Sequence, residues 1–203
     1  MKVGIVQYGN GNVHAVMRAL ERCGVNGCLV SSPDQMQGCD FLIFPGVGHF
    51  QNAMTYLRDG QWIEALENFA LKEKKPFLGI CLGMQLLADS SEEGNVKGLG
   101  WIHGQVIKMQ KDSLDIKIPH MGWNQLRNQK GGILKEVSSE DFFYFTHSYH
   151  WSGVAEDEIL CTTHYGREMI TGVRKGNIWG VQFHPEKSYE AGQKIFRSFL
   201  NLD

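Results

Sequence analysis

The chain has 203 residues, of which 42% are hydrophobic and 21% charged, enough apolar material at this length to bury a sizeable core; disorder, a collagen-like repeat and a coiled coil are excluded as overall descriptions. Twenty Lys and Arg stand against 22 Asp and Glu, a formal net charge of −2, so the strong positive field that supports binding to nucleic acid or to an anionic membrane is lacking. The opening MKVGIVQYGNGN is apolar for too short a stretch to be a signal peptide or a membrane span, which points to a cytoplasmic protein.

In chain order, residues 3–6 read as a buried strand. The turn Gly9-Asn10-Gly11-Asn12 leads into a helix in which Val13, Val16, Met17 and Leu20 recur every three or four residues, with Gly24 as its stop. Residues 28–30 form a short second strand, and Phe41-Leu42-Ile43-Phe44 a third that ends at Pro45-Gly46. The helical pattern through Met54, Leu57, Trp62, Ile63, Leu66 and Phe69 is broken by Asp59-Gly60. Phe77-Leu78-Gly79-Ile80 is a fourth strand that runs into Cys81 and an apolar helical start over residues 84–88. This alternation predicts βαβ units and a parallel sheet. From residue 98 to 184 the texture changes to short alternating segments at 101–109, 142–146, 159–164, 169–174 and 178–183, which read as antiparallel strands and hairpins joined to that sheet. A last helix over about 189–200 turns Ile195, Phe196 and Phe199 inward. No repeat or Pro/Ser-rich linker divides the chain, so one α/β domain over residues 1–203 is expected.

The five cysteines, Cys23, Cys28, Cys39, Cys81 and Cys161, form no CxxC pair and no zinc-finger spacing with histidine, so neither disulfides nor structural zinc are expected. Four of them read as small apolar residues. Cys81 differs, because Gly79-Ile80-Cys81-Leu82-Gly83 matches the G-x-nucleophile-x-G elbow with Cys for Ser, preceded by a strand and followed by a helix. At a helix N-terminus the macrodipole favours thiolate, and the Leu82 N–H is placed to stabilise an oxyanion. A thiol nucleophile needs a base and the base an orienter, and His184-Pro185-Glu186 supplies both: in an extended segment residues i and i+2 face one side. A second oxyanion donor is expected from Pro45-Gly46-Val47-Gly48, where glycines let backbone N–H groups approach a carbonyl. A dinucleotide fingerprint fails on spacing, since Gln51 and His14 occupy the positions that G-x-G-x-x-G reserves for glycine.

GICLGMQLL at 79–87, PGVG at 45–48 and QFHPEKS at 182–188 together resemble class I, triad-type glutamine amidotransferases. YGNGN at 8–12, SSEE at 90–93, GLGWI at 98–102, PHMGWNQL at 119–126, YFTHSY at 144–149 and KGNIWGVQFHPEKS at 175–188 narrow the resemblance to the glutaminase subunits of imidazole glycerol phosphate synthase, in order along essentially the whole chain. It implies a three-layer, flavodoxin-like α/β fold, with a mostly parallel central sheet plus antiparallel strands and hairpins in the second half. It further implies that Cys81 attacks the glutamine side-chain amide with the aid of His184 and Glu186, that Gly46, Val47, Gly48 and Leu82 serve the oxyanion, and that Gln85, Glu93, His147, Ser148 and Tyr149 hold the substrate head group. The implied partner is a (β/α)8 cyclase subunit that receives ammonia in a heterodimer, with Asn12, His120, Met121, Trp123, Tyr144 and Lys187 near the interface and no metal or organic cofactor. Two positions depart from the family pattern: Gln7 stands where many relatives carry an acid, and His49 follows PGVG where a small residue is common, either altering the mobility of that strand or capping the next helix. Alternatives at this point are a paralogous glutaminase feeding a cyclase-like partner that amidates a surface-glycan sugar, a non-catalytic scaffold, and a hydrolase of γ-glutamyl peptides, which PHMGWN disfavours.

Overall fold

The computed structural model describes residues 1–9, 11–111 and 116–202; Asn10 of the predicted first turn lies outside the described residues. The first half is built from β1 (Val3–Val6), α1 (Val13–Arg22), β2 (Gly27–Val30), β3 (Phe41–Gly46), α2 (Phe50–Asp59), α3 (Trp62–Glu67), β4 (Phe77–Cys81) and α4 (Leu82–Gln85). The second half adds β5 (Ser90–Ser91), β6 (Val96–Lys97), β7 (Gln105–Lys108), β8 (His120–Gln125), β9 (Phe142–His147), β10 (Tyr149–Ser152), β11 (Ile159–Tyr165), β12 (Arg167–Lys175), β13 (Ile178–Val181) and α5 (Tyr189–Phe199).

The main sheet runs β2-β1-β3-β4-β13-β12-β10-β7-β5-β6, with β11 on the other edge of β12. From β2 to β13 every pairing is parallel, and from β13 through β12 and β10 to β7 each is antiparallel. The predicted change of texture is thus a change of pairing direction within one sheet. The parallel strands are apolar on both faces because helices cover both: Leu42, Phe44 and Phe77 pack in a cluster with α2 and α3, while Ile43, Leu78 and Ile80 pack with α1 and α5. The predicted break between the second and third helices falls at Gly60 and Gln61, whose left-handed φ of 57° ends one helix and lets Trp62 begin the next.

Three differences have physical causes. The predicted strand at 101–109 shortens to Gln105–Lys108, since Trp101 and Ile102 are drawn into the core as a loop beneath Phe77. Strand β3 continues through Pro45 to Gly46, which pairs with Cys81, so the glycine-rich segment begins on the ladder rather than beyond it. The ribbon β8–β9 forms a separate two-stranded sheet that puts His120 opposite His147. Among the described residues no helix is long and apolar enough to cross a membrane.

Candidate active site

The ends of β1, β3, β4 and β13 gather at the carboxyl edge of the parallel sheet, the edge where open α/β sheets place their ligands. Between β4 and α4, Cys81 takes φ 55° and ψ −111°, a conformation that costs a residue with a Cβ on the order of 1–3 kcal/mol. The turn is tight enough that both flanking positions exclude a side chain. A Cβ on Gly79 would sit 2.7 Å from the Gly83 carbonyl oxygen, and one on Gly83 would run into the carbonyl of Phe44. Helix α4 has a single turn, so the macrodipole expected to favour thiolate is small, and support for negative charge on sulfur has to come from nearby donors.

His184 and Glu186 meet as expected but by another route. Strand β13 stops at Val181, and Pro185–Lys187 form a 3-10 turn, so the carboxylate reaches the imidazole by curling back rather than by extended i, i+2 geometry. His184 Nδ1 lies 2.8 Å from Glu186 Oε1, with both side chains 2% exposed. Nδ1–H therefore donates to the carboxylate, and Nε2 is buried without a hydrogen-bond partner. Burial works against charge on this ring, yet the Cys81 sulfur and then Glu186 outweigh it and push the imidazole up to about 10. The backbone at His184 is held firmly: its N–H donates to the Tyr144 carbonyl, and its carbonyl accepts the Ser188 hydroxyl at 2.6 Å.

Cys81 and His184 face one cavity of about 320 Å³. Val47, Gly48 and Leu82 line it beside the sulfur, and Gly48 has φ 105°, a conformation natural only to glycine. Gly46 lies beneath this wall, where a Cβ would run into the Tyr8 hydroxyl. The remaining predicted residues Gln85, Glu93, His147, Ser148 and Tyr149 all line the same cavity. Glu93 is anchored there by the Phe50 N–H, which donates to Oε2 at 2.7 Å.

Residues 5–202 match the model of the class-I glutamine amidotransferases. The chain belongs to that family. Among curated proteins, the amidotransferase is 41% identical over 199 residues to imidazole glycerol phosphate synthase subunit HisH 2 of Methanococcus maripaludis, covering 98% of each chain. It is 40% identical over 203 residues to subunit HisH 1 of Campylobacter jejuni, covering 98% of this chain and all of the relative. The subunit HisH of Bacillus licheniformis is 41% identical over 201 residues, 97% of this chain and 94% of that protein. Among solved structures, PurLQS from Thermotoga maritima superposes with a TM-score of 0.76 at 20% identity, covering 98% and 97% of the two chains, and a glutamine amidotransferase with 0.77 at 20%, covering 99% and 98%; these likenesses speak for the fold.

Beside the cavity the amidotransferase exposes an aromatic and apolar patch. Met121 is 62%, Trp123 46% and Tyr189 71% exposed; the Trp123 ring stacks on Tyr189 at 5.5 Å and meets Tyr144 edge-on, and the Lys187 ammonium lies over the Tyr144 ring. Asn12, half-buried, lines a neighbouring hollow with Lys187 and Tyr189. His120, expected near the interface, is 2% exposed and lies behind this patch, sandwiched between Phe145 and Tyr165. Tyr189 joins the patch without having been singled out in the sequence.

Among the buried polar residues that escaped the sequence reading, Tyr8 and Gln182 lie close to Cys81. Gln182, inside the QFHPEKS motif, places its amide nitrogen 3.7 Å from the Cys81 sulfur. The two departures are also placed: His49 is the N-cap of α2, its Nδ1 accepting the Gln51 N–H, and Gln7 accepts the Ser31 hydroxyl at 3.0 Å.

Proposed function

We propose that Cys81, His184 and Glu186 form the catalytic triad of a glutaminase that hydrolyses L-glutamine to glutamate and passes ammonia to a cyclase subunit. The observation that carries this reading is the pairing of a thiol and a buried, carboxylate-backed imidazole on the walls of one cavity. The imidazolium balances a thiolate, which attacks the side-chain carbonyl carbon of glutamine. The Leu82 N–H and an N–H of the Gly46-Val47-Gly48 strand receive the oxyanion, and His184 Nε2–H protonates the departing ammonia. Water then attacks the γ-glutamyl thioester while Nε2 accepts its proton, and glutamate leaves with the thiolate restored. Glu186 holds Nδ1–H throughout, so Nε2 is the nitrogen that exchanges protons with the reactants. Glu93 faces the substrate ammonium, and the His147-Ser148-Tyr149 segment with Gln85 receives the rest of the head group.

The partner is a (β/α)8 cyclase subunit, which uses the ammonia to make imidazole glycerol phosphate and an aminoimidazole carboxamide ribonucleotide in histidine biosynthesis. Near-full-length similarity to synthase subunits supports this reading, as does the patch of Met121, Trp123, Tyr144, Lys187 and Tyr189, since exposed aromatic residues are frequent interface anchors. The test measures glutamate release from the intact chain, alone and with the cyclase subunit and its ligand. Partner-stimulated release that disappears in Cys81→Ala, with the fold retained by circular dichroism, is the expected result; turnover that survives the substitution contradicts the nucleophile, and equal rates with and without partner contradict the coupling. Failure to rescue a histidine auxotroph lacking this subunit would overturn the pathway assignment.

A further inference from the structure

The one-turn helix after Cys81 leaves the sulfur short of dipole support, and the structure offers a substitute on the neighbouring strand end. Building on the reading of Cys81 as the nucleophile, we propose that Gln182 is a catalytic residue, its side-chain amide donating N–H to the Cys81 sulfur and holding the thiolate before attack and after thioester hydrolysis. Gln182 is fully buried, and its nitrogen lies 3.7 Å from sulfur, a normal length for an N–H···S contact.

Which end of that amide faces the sulfur follows from its neighbours. The Tyr149 main-chain carbonyl can only accept, so the Gln85 atom 3.3 Å from it is nitrogen. The same nitrogen lies 2.9 Å from Gln182 and must meet an oxygen there. The NH2 end of Gln182 is therefore the one turned to Cys81. A reversed amide would set two NH2 groups against each other and present a carbonyl oxygen to a thiolate.

The donors upstream are equally determined. The Tyr149 carbonyl also receives His147 Nδ1–H at 2.8 Å, which makes His147 Nε2 an acceptor for His120 Nδ1–H at 3.1 Å. His120 opens β8, directly before the exposed Met121. One hydrogen-bonded series thus runs from the exposed ribbon through His120, His147, the Tyr149 carbonyl, Gln85 and Gln182 to the sulfur, and Gln182 is its last donor. Among the described residues, the other titratable groups around Cys81 are His184, backed by Glu186, and the Tyr8 phenol, with Glu93, His147 and Tyr149 lining the same cavity.

The test follows alkylation of Cys81 by iodoacetamide across pH, together with glutaminase kinetics of the synthase complex, in Gln182→Leu and the similarly sized Gln182→Met. The N–H donation predicts that the alkylation profile of Gln182→Leu moves to higher pH, with kcat lower by roughly tenfold or more, the range for a lost hydrogen bond to a charged group, and KM within about twofold. Gln182→Met, which fills the same space without an N–H donor, moves the profile in the same direction, whereas a purely packing role predicts that this variant resembles the wild type. Should either variant fail to fold, the wild-type chain decides: the side-chain 15N–H2 resonance of Gln182 must titrate together with Cys81 alkylation. Profiles unmoved in folded variants, or an invariant resonance, overturn the proposal. If Cys81→Ala has abolished turnover, such a result refutes Gln182 alone and leaves the triad standing.

Discussion

Burying an imidazole normally strips it of charge, and two histidines of this chain obey: His147 is pushed down to about 3 and His120 to about 4, foremost by burial. His184 is as deeply buried and goes the other way, because the Cys81 sulfur and Glu186 face it. Its charge therefore rests on neighbours, and Glu186→Gln isolates one of them. That substitution keeps the size of the side chain but removes the carboxylate charge, so the imidazolium loses support; kcat should fall by roughly 10²-fold or more with folding intact, as for an impaired general acid–base. Undiminished turnover would mean that Glu186 orients nothing. At this scale the sequence was most informative where sterics leave no choice: Gly79 and Gly83 flank Cys81 because a Cβ at either would strike main chain. It was silent on Gln182, since an amide at a strand end has no local signature and acquires its orientation from Gln85, distant in the chain.

At the scale of elements, the loop that carries His184 and Glu186 is fastened to α5. Gly192 approaches the Pro185 main chain so closely that a Cβ would run into its carbonyl oxygen, and the Gly192 N–H donates to the Ser188 carbonyl. Gly192→Ala should force helix and loop apart, cost about 1–3 kcal/mol of stability as overpacking does, and lower kcat by displacing His184; chemical denaturation and kinetics on one preparation check both. A variant as stable and active as the wild type would contradict the fastening. The strands of the parallel half were legible because they are apolar on both faces, and α1 and α5 because their apolar residues recur at helical spacing. Strand β8 was not: HMGWNQ has no clean alternation, since it pairs with β9 alone and leaves Met121 and Trp123 in solvent. The predicted i, i+2 geometry of His184 and Glu186 failed because Pro185 begins a turn, yet the turn brings the same two groups together.

For the whole molecule, the same histidines set opposite slopes of stability against pH. The unfolded chain protonates His120 and His147 near pH 6.5, whereas the folded chain refuses those protons until about pH 4 and 3. The unfolded state thus binds more protons in that window, and stability should fall on acidification by up to about 1.4 kcal/mol per pH unit for each imidazole. His184 acts in reverse: its raised pKa gives a contribution that is complete below pH 6.5 and is lost as pH climbs toward about 10. Denaturation midpoints from pH 4 to 10 should show both limbs, and Cys81→Ala should flatten the alkaline one, because the sulfur is the foremost support of that imidazolium. An alkaline limb identical in the variant would show that the two groups do not interact.

Selective capture of the proposed nucleophile is the most direct trial. The intact chain is treated with a chloroketone analogue of glutamine, with and without excess glutamine, and the adduct is located by peptide mass spectrometry among the five thiols Cys23, Cys28, Cys39, Cys81 and Cys161. A single adduct on Cys81, suppressed by glutamine and slowed in His184→Ala, is the predicted outcome; modification centred on another cysteine, or labelling of Cys81 that glutamine does not affect, would contradict the account.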